Sequence, residues 1–412
     1  MTSKTAEPTP DLFDRATKRQ ASRKPPARLV ASISPATASR PRNSALLVRP
    51  EQVKALPAID GAPAKPTLLS KTDFLAGFIP PNYLIDRVLQ RRFIYALTAS
   101  TGHGKTALAL LIAQLIAALD RRAAFLGPHA VDKGNVIYFV GENPDDLRMR
   151  VMAADAKAGH DGTLDRISFI AGPFRIEAMR AECEAKAATM PGGKIDLVIV
   201  DTSAAYFFGD EENSNAQMGS HARALRTLTT LPGGPCVLVL CHPIKNANEP
   251  SQLLPRGGGA FIAEIDGNLT LWKTGELIEL WHTDKMRGPG FEPMTFRLEK
   301  ILCDALIDSK GRHIPTIRAV AISDSDKEAE VRTTRSSEDL MLVAMLAEPG
   351  RSIAWLATAC GWTSSSGEAQ KSKAHRILKG LEKSGLARLH RGAYELTDKG
   401  KTAANAAKAT VA

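Results

Sequence analysis

One short stretch of the sequence has residue types and spacing that fit the binding of phosphate groups. An apolar run over 93–97 ends at Thr98, and the residues after it are Ala99, Ser100, Thr101, Gly102, His103, Gly104, Lys105, Thr106 and Ala107. Glycines allow the backbone to turn sharply and to direct its N–H groups inward. Lys105 can then reach the β- and γ-phosphates of ATP, and the Thr106 hydroxyl can bind Mg²⁺. Because an apolar, helix-forming pattern follows, we interpret the stretch as a P-loop rather than a glycine-rich turn without a ligand.

Two acidic residues each lie at or just past the end of an apolar, strand-like run. Glu142 follows 135–140, and Asp201 follows 195–200. A carboxylate at the end of a buried strand is costly unless it has a function. Asp201 lies about 95 residues after the P-loop and fits a Walker B acid that holds Mg²⁺. Glu142 can be interpreted either as a functional carboxylate or as part of a helix cap, because Asn143 and Pro144 also resemble a helix start.

A third polar residue follows a strand-like run at 236–241. His242 could contact the γ-phosphate and signal hydrolysis to the loop that follows, or it could be an ordinary hydrogen-bonding residue at a strand end. Residues 245–259 after it are rich in glycine and proline and predict a mobile loop.

Strands and helices alternate along the middle of the chain, with the polar candidates at strand ends. This order predicts an α/β fold, in which a parallel sheet is flanked by helices. We expect a disordered basic arm over 1–70, this P-loop domain over 71–302, a linker over 303–335, and a small domain over 336–400. Residues 401–412 are expected to form a tail.

The net charge of +10 is concentrated at the two ends of the chain. Residues 1–50 contain ten basic and three acidic residues, and residues 331–412 contain thirteen and seven. This asymmetry favours nucleic acid as a partner, although solvated basic tails are the alternative. The five cysteines lack metal-binding spacing and fit the reducing cytoplasm. No apolar run has transmembrane length, so we expect no membrane partner.

The C-terminal part has the pattern of three helices and a β-hairpin. The third helix, over 369–384, is basic and includes Lys373 and Arg376. This pattern resembles a winged helix-turn-helix domain, whose third helix would place these residues in a groove of duplex DNA. The alternative is a winged helix that contacts protein.

Several motifs together resemble the RecA-type core of RepA-like hexameric replicative helicases. They are PPNYLIDRVL, TASTGHGKTALAL, VIYFVGENP, LVIVDT, LVLCHP, RGGGAFIAEID and DKMRGPG, in that order over roughly 73–300. The departures from the pattern are Ala99, in place of the first P-loop glycine, and the extra segments at both ends.

The resemblance implies roles for individual residues. Glu142 would be the catalytic base, Asp201 the Walker B acid and His242 the sensor. Lys285 and Arg287 match a basic pair that such rings insert into the nucleotide site of the neighbouring subunit. The loops after Asp201 and His242, the second of which carries Lys245 and Arg256, match loops that face single-stranded DNA in the ring channel.

The resemblance and the basic ends of the chain favour a DNA helicase or translocase from a plasmid, phage or other mobile element. A nucleotide-switched DNA-binding regulator or loader is the rival interpretation. A small-molecule kinase is disfavoured, because the C-terminal domain and the Lys285–Arg287 pair would have no role in it. A fused primase is also disfavoured, because the sequence contains no primase or zinc motif.

Overall fold

The computed structural model describes residues 68–118, 124–158, 166–212, 214–245, 247, 249–364 and 366–411. The expected arm over 1–70 therefore lies outside the described residues except for its last three positions. Residues 68–77 are the described part of a unit that ends at Gly77. In this part, Ser70 caps helix α1 (Lys71–Ala76), because its hydroxyl accepts a hydrogen bond from the backbone N–H of Asp73 at 3.1 Å.

The described part of residues 78–412 contains a nine-stranded sheet, a four-stranded sheet and a two-stranded hairpin. The strands are β1 (Tyr83–Ile85), β2 (Leu89–Gln90), β3 (Ile94–Thr98), β4 (Ala124–Leu126), β5 (His129–Val131), β6 (Val136–Val140), β7 (Ile167–Ala171), β8 (Leu197–Asp201), β9 (Cys236–Cys241), β10 (Gly267–Thr274), β11 (Leu277–Met286), β12 (Met294–Ile301), β13 (Thr316–Ala321), β14 (Ala387–His390) and β15 (Ala393–Leu396).

The large sheet is parallel in its centre and antiparallel at one end. Its strand order is β13-β12-β11-β10-β3-β9-β8-β6-β7, and the six strands from β10 to β7 run in the same direction. Every residue of β3, β6, β8 and β9 is buried. Such continuous apolar strands require cover on both faces of the sheet, which explains why helices lie on each side.

The helices after α1 are α2 (Lys105–Ala117), α3 (Pro144–Ala158), α4 (Arg180–Thr189), α5 (Asn215–Thr227), α6 (Gly258–Glu264), α7 (Asp324–Ala347), α8 (Ile353–Ala359), α9 (Lys371–Lys383) and α10 (Asp398–Val411). Helix α2 and the small sheet β2-β1-β5-β4 share one apolar core with the first face of the large sheet. Helices α4, α5 and α6 pack on the other face. This arrangement confirms the predicted α/β class: it is the fold of a RecA-type P-loop NTPase core.

The expected linker over 303–335 and the domain end at 302 are both wrong. Strand β13 lies inside that range and pairs with β12 along its whole length. The pairing is reinforced across the strands by Arg318, whose guanidinium donates to Glu299 at 2.8 Å. The sequence pattern hid this strand because it is an edge strand, and edge strands carry exposed polar residues.

The C-terminal segment is more helical than expected at both of its ends. Helix α7 begins at Asp324, inside the predicted linker, and the predicted tail over 401–412 lies largely in helix α10. Ala404 is fully buried in the same apolar core as Met341 and Leu378, so the last helix closes this core. Small alanine side chains allow this close packing but give a weak hydrophobic signal in sequence.

The basic third helix and the hairpin are present as α9 and β14–β15. Among the described helices of the chain, none combines the length and apolar character needed to cross a bilayer.

Candidate functional site: a nucleotide pocket at the sheet edge

The P-loop joins the end of β3 to the start of α2. Gly102 has a φ of +79° and Gly104 a φ of +85°, a region that side chains with a Cβ rarely adopt. Gly104 is also constrained by packing, because a Cβ there would lie 2.9 Å from the side chain of Leu298. Ala99 is fully buried, and its N–H donates to the carbonyl of Cys241 at 3.3 Å. The loop therefore accommodates alanine where the usual pattern has glycine.

The Lys105 side chain is buried and turns back onto its own loop. Its Nζ donates to the carbonyl oxygens of Ala99 at 2.6 Å and of Ser100 at 3.4 Å. Burial lowers the pKa of the Lys105 ammonium, and the nearby carboxylates of Asp201 and Glu142 oppose that effect. The ammonium is thus held at the loop close to both acidic candidates.

Asp201 is buried at the end of β8, and two hydroxyl groups contact it. Tyr138 from the neighbouring strand donates to its Oδ2 at 2.8 Å, and the Thr106 hydroxyl lies in hydrogen-bonding contact. Burial raises the pKa of the Asp201 carboxyl, although the two hydroxyls and Lys105 act in the opposite direction. A desolvated carboxylate beside a hydroxyl offers the oxygen ligands that Mg²⁺ prefers, and a cation offsets the cost of its burial. Thr106 and Asp201 therefore fit the predicted Mg²⁺.

Glu142 follows the end of β6, the strand next to β8. Its carboxylate is about half exposed and accepts a hydrogen bond from the Thr202 hydroxyl at 2.9 Å. The Nε2 atom of His242 lies 3.5 Å from its Oε1. The cap of α3 is instead formed by Asn143, whose Oδ1 accepts from the N–H groups of Asp145 at 3.1 Å and Asp146 at 3.2 Å. Glu142 is therefore free of the capping role that the sequence left open.

The structure brings together residues from four adjacent strand ends. Lys105 and Thr106 follow β3, His242 follows β9, Asp201 ends β8 and Glu142 follows β6. Because parallel strands present their carboxyl ends at one edge, residues over 100 positions apart meet there. The cluster can hold phosphate with backbone N–H groups and a lysine, and it can orient a water molecule with a carboxylate.

The Lys285–Arg287 pair lies elsewhere. The Arg287 guanidinium contacts the buried Asp266 carboxylate at 2.8 Å, and Asp266 accepts the N–H of Ile94 at 3.0 Å. Ile94 begins β3, whereas the P-loop follows its end at Thr98, about 13 Å further along at 3.3 Å per residue. Lys285 donates to the carbonyl of Ala263 at 3.3 Å. The pair is therefore at the edge of the sheet opposite the nucleotide pocket of its own chain.

The candidate DNA-binding residues are dispersed, and three of them contact other side chains. Arg256 forms an ion pair with Glu212 at 3.2 Å, and Arg376 forms one with Glu276 of the β10–β11 turn. The Lys373 Nζ lies 4.6 Å from the centre of the Trp362 ring. Lys245 is exposed.

Sequence reasoning missed Tyr138, Thr202 and Trp272 at this site. Tyr138 and Thr202 orient the two carboxylates, and the Trp272 ring packs edge-on against the His103 ring with centroids 6.0 Å apart. Thr202 could have been found, because it directly follows the Walker B acid. Tyr138 could not, since an aromatic residue within an apolar strand has the same pattern as any core residue.

The fold is that of a RecA-type P-loop NTPase core. A protein-family profile described as an AAA domain matches residues 62–248, somewhat under half of the chain. Among solved structures, one ATPase domain is similar at 15% identity over 54% of this chain and 85% of that chain, with a TM-score of 0.37. No curated protein matches the chain.

Proposed function

We propose that the chain is an ATP-hydrolysing motor that acts on DNA, as a RepA-like replicative helicase or single-stranded-DNA translocase of a mobile element. The single observation that carries the hydrolytic part is the position of Glu142. Its carboxylate is partly exposed at the sheet edge, near Lys105, with Thr202 and His242 holding it. A partly exposed carboxylate in that place can reach a water molecule, whereas the buried Asp201 cannot.

In the proposed reaction, water attacks the γ-phosphate in line with the leaving group. Glu142 orients the water and takes its proton, and Lys105 leaves its loop carbonyls to neutralise charge that develops on the phosphates. Bound Mg²⁺, held by Thr106 and Asp201, would supply further charge neutralisation. His242 contacts Glu142 directly, so a change at the phosphates that moves Glu142 also reaches the loop after β9. That loop carries Lys245 and Arg256, the proposed contacts to single-stranded DNA.

We also propose that the chain forms a homo-oligomer, namely a hexameric ring. Arg287 and Lys285 lie at the opposite edge from the P-loop of their own chain, so they can act on a nucleotide only in a neighbouring subunit. A ring places this edge of each subunit against the pocket of the next. An arginine supplied in this way would complete the nucleotide site.

A nucleotide-switched DNA-binding regulator or loader is the second candidate. It is favoured by the contact between Arg376 of the basic helix α9 and Glu276 of the ATPase core. In this proposal helices α7, α8 and α9 and the β14–β15 hairpin act as a winged helix that binds duplex DNA, and hydrolysis resets the complex.

ATP turnover with single-stranded DNA, duplex DNA and no DNA distinguishes the two candidates. Two full-length double variants are compared, one with Lys245 and Arg256 changed to alanine and one with Lys373 and Arg376 changed. A translocase should be stimulated by single strands without sequence preference, and the first variant should lose that stimulation. A regulator should respond to duplex through the second pair. If no nucleic acid stimulates or binds any form, the DNA part of the proposal is wrong, and basal turnover still tests the ATPase part.

A further inference from the structure

One face of the basic helix α9 lies against the turn between β10 and β11. Arg376 forms an ion pair with Glu276 in that turn, and Lys383 places its Nζ 5.3 Å from the centre of the Trp272 ring. Residues 376 and 383 are seven positions apart, which is two helical turns, so both side chains project from the same face. This contact joins the C-terminal segment to the ATPase core.

The end of β10 that leads into this turn contacts the P-loop. The Trp272 ring that receives Lys383 also packs at 89° against the ring of His103, inside the phosphate-binding loop. Burial lowers the pKa of His103, and the positive charges of Lys105, Lys273 and Lys383 act in the same direction. A continuous set of contacts therefore runs from the P-loop through Trp272 to α9.

The opposite face of α9 is fixed within the C-terminal core. Ala374, Leu378 and Leu381 are fully buried there, so α9 cannot rotate away without the rest of its domain. The first turns of α7 anchor this domain to the core sheet through Lys327, which contacts Glu279 at 2.6 Å, and Glu330, which contacts Arg297 at 3.4 Å. The contacts with the β10–β11 turn are weaker, because Arg376 and Glu276 are both substantially exposed. Helix α9 can therefore separate from the core at the β10–β11 turn.

Arg376 cannot serve DNA and Glu276 at the same time. A guanidinium held by a carboxylate presents little positive charge, and the carboxylate itself repels a phosphate that approaches. We propose that the β10–β11 turn and duplex DNA compete for one face of α9, and that the Trp272–His103 contact lets nucleotide binding bias this competition. The inference rests on the proposed binding of DNA by the C-terminal domain.

The first test measures duplex affinity of the full chain by fluorescence anisotropy, with and without nucleotide. Glu276→Gln removes the competitor of DNA, and Glu292→Gln removes an equal charge from another exposed position of the core. We expect Glu276→Gln to tighten binding by up to about fivefold, the range for an exposed ion pair, and to do so more than Glu292→Gln. In an Arg376→Gln background the effect of Glu276→Gln should vanish. Equal effects of the two glutamate variants would overturn the competition.

A second test does not require DNA. Spin labels at Thr274→Cys and Lys371→Cys, in a Cys303→Ser background, report the distance between the turn and α9. The distance distribution should shift to longer values in Glu276→Gln, and nucleotide should shift it in the native sequence but not in Trp272→Ala.

Unchanged distributions in Glu276→Gln would overturn the inference even if all variants bind DNA. A shift in Glu276→Gln without any DNA binding would instead mean that the proposed DNA function is wrong while the contact stands. If nucleotide produces no shift, the link through Trp272 is wrong.

Discussion

The nucleotide pocket and the candidate DNA contacts are built in different ways. In the pocket, buried or half-buried side chains from neighbouring strand ends contact one another, as Tyr138 contacts Asp201 and Thr202 contacts Glu142. At the candidate DNA contacts, exposed arginines form ion pairs with acidic residues of the chain itself, as Arg256 does with Glu212 and Arg376 with Glu276. The first arrangement fixes geometry, whereas the second leaves charges that can exchange partners.

The physical reason for the difference is desolvation. A buried polar group must keep its partner, because losing it leaves an unpaired group away from water. An exposed ion pair contributes only about 0–1 kcal/mol, so a phosphate can replace the carboxylate at little cost. The pocket should therefore respond to substitution with large losses of turnover, and the basic contacts with small changes of affinity.

The largest expected effect concerns Arg287 and Lys105 in separate subunits. Arg287→Ala should lower ATP turnover by about 10³-fold or more, the scale of an arginine finger, and Lys105→Ala should abolish turnover because the phosphates lose the lysine that binds them. Mixing the two variants should restore part of the activity, because some interfaces then contain an intact site. Steady-state turnover across mixing ratios is the measurement.

Arg287 also neutralises the buried Asp266, so unfolding of Arg287→Ala must be measured beside its activity. A variant that is stable but inactive alone, and active in mixtures, supports action in trans. No recovery at any ratio, or a monomer in light scattering with ATP present, would remove that assignment.

The next effect is that of Glu142→Gln. This variant should bind ATP normally but lose turnover by about 10²–10⁴-fold, the contribution of a general base. Asp145→Asn, a neighbouring and highly exposed carboxylate, is the matched control and should be nearly normal. Normal hydrolysis by Glu142→Gln would mean that another group activates the water.

The positions of the candidate residues at strand ends could be predicted from the sequence because strand ends obey a simple rule. An apolar run followed by Asp201 or Glu142 identifies a residue at the carboxyl edge without any knowledge of packing. Strand β13 was missed because Arg318 and the exposed Ile317 interrupt its pattern. The Arg376–Glu276 contact joins residues 100 positions apart on two surfaces, and no local pattern specifies how such surfaces meet. Position within an element is therefore predictable, whereas contacts between exposed side chains are not.

Acid should destabilise the folded chain through the buried His221. The Ser203 hydroxyl, two residues after Asp201, lies 3.0 Å from the Nε2 of His221, and burial lowers the pKa of His221 from its ordinary 6.5 to about 4. As the pH falls, His221 is protonated at a higher pH in the unfolded chain than in the folded chain. The free energy of unfolding should therefore fall as the pH is lowered from about 6.5 to 4, by as much as about 3 kcal/mol.

Chemical denaturation at a series of pH values measures this slope. His221→Gln should flatten it between pH 6.5 and 4, whatever its effect on stability at neutral pH. His375→Gln, at an exposed position of α9, should leave the slope unchanged. An identical pH dependence in His221→Gln would show that carboxylates alone account for acid unfolding.

A smaller effect is expected from Thr202, which orients Glu142. Thr202→Val removes the hydroxyl that donates to the Glu142 carboxylate at 2.9 Å and keeps a similar shape. The kcat for ATP should fall by up to about tenfold, the value of one hydrogen bond, while KM stays the same. Thr202→Ser keeps the hydroxyl and should restore kcat. If Thr202→Ser is as slow as Thr202→Val, the methyl packing of Thr202 matters rather than its hydrogen bond.

The smallest expected effect concerns the exposed ion pair of Arg256. Glu212→Gln removes the carboxylate 3.2 Å from its guanidinium and should tighten single-stranded-DNA binding by up to about fivefold. Glu211→Gln changes the adjacent residue and the same net charge, so it separates release of Arg256 from a general change in potential. The gain in Glu212→Gln should disappear in an Arg256→Gln background and should shrink as salt is raised, because a phosphate contact releases counterions. Equal gains from the two glutamine variants would mean that Arg256 exchanges no partner and that only net charge matters at this loop.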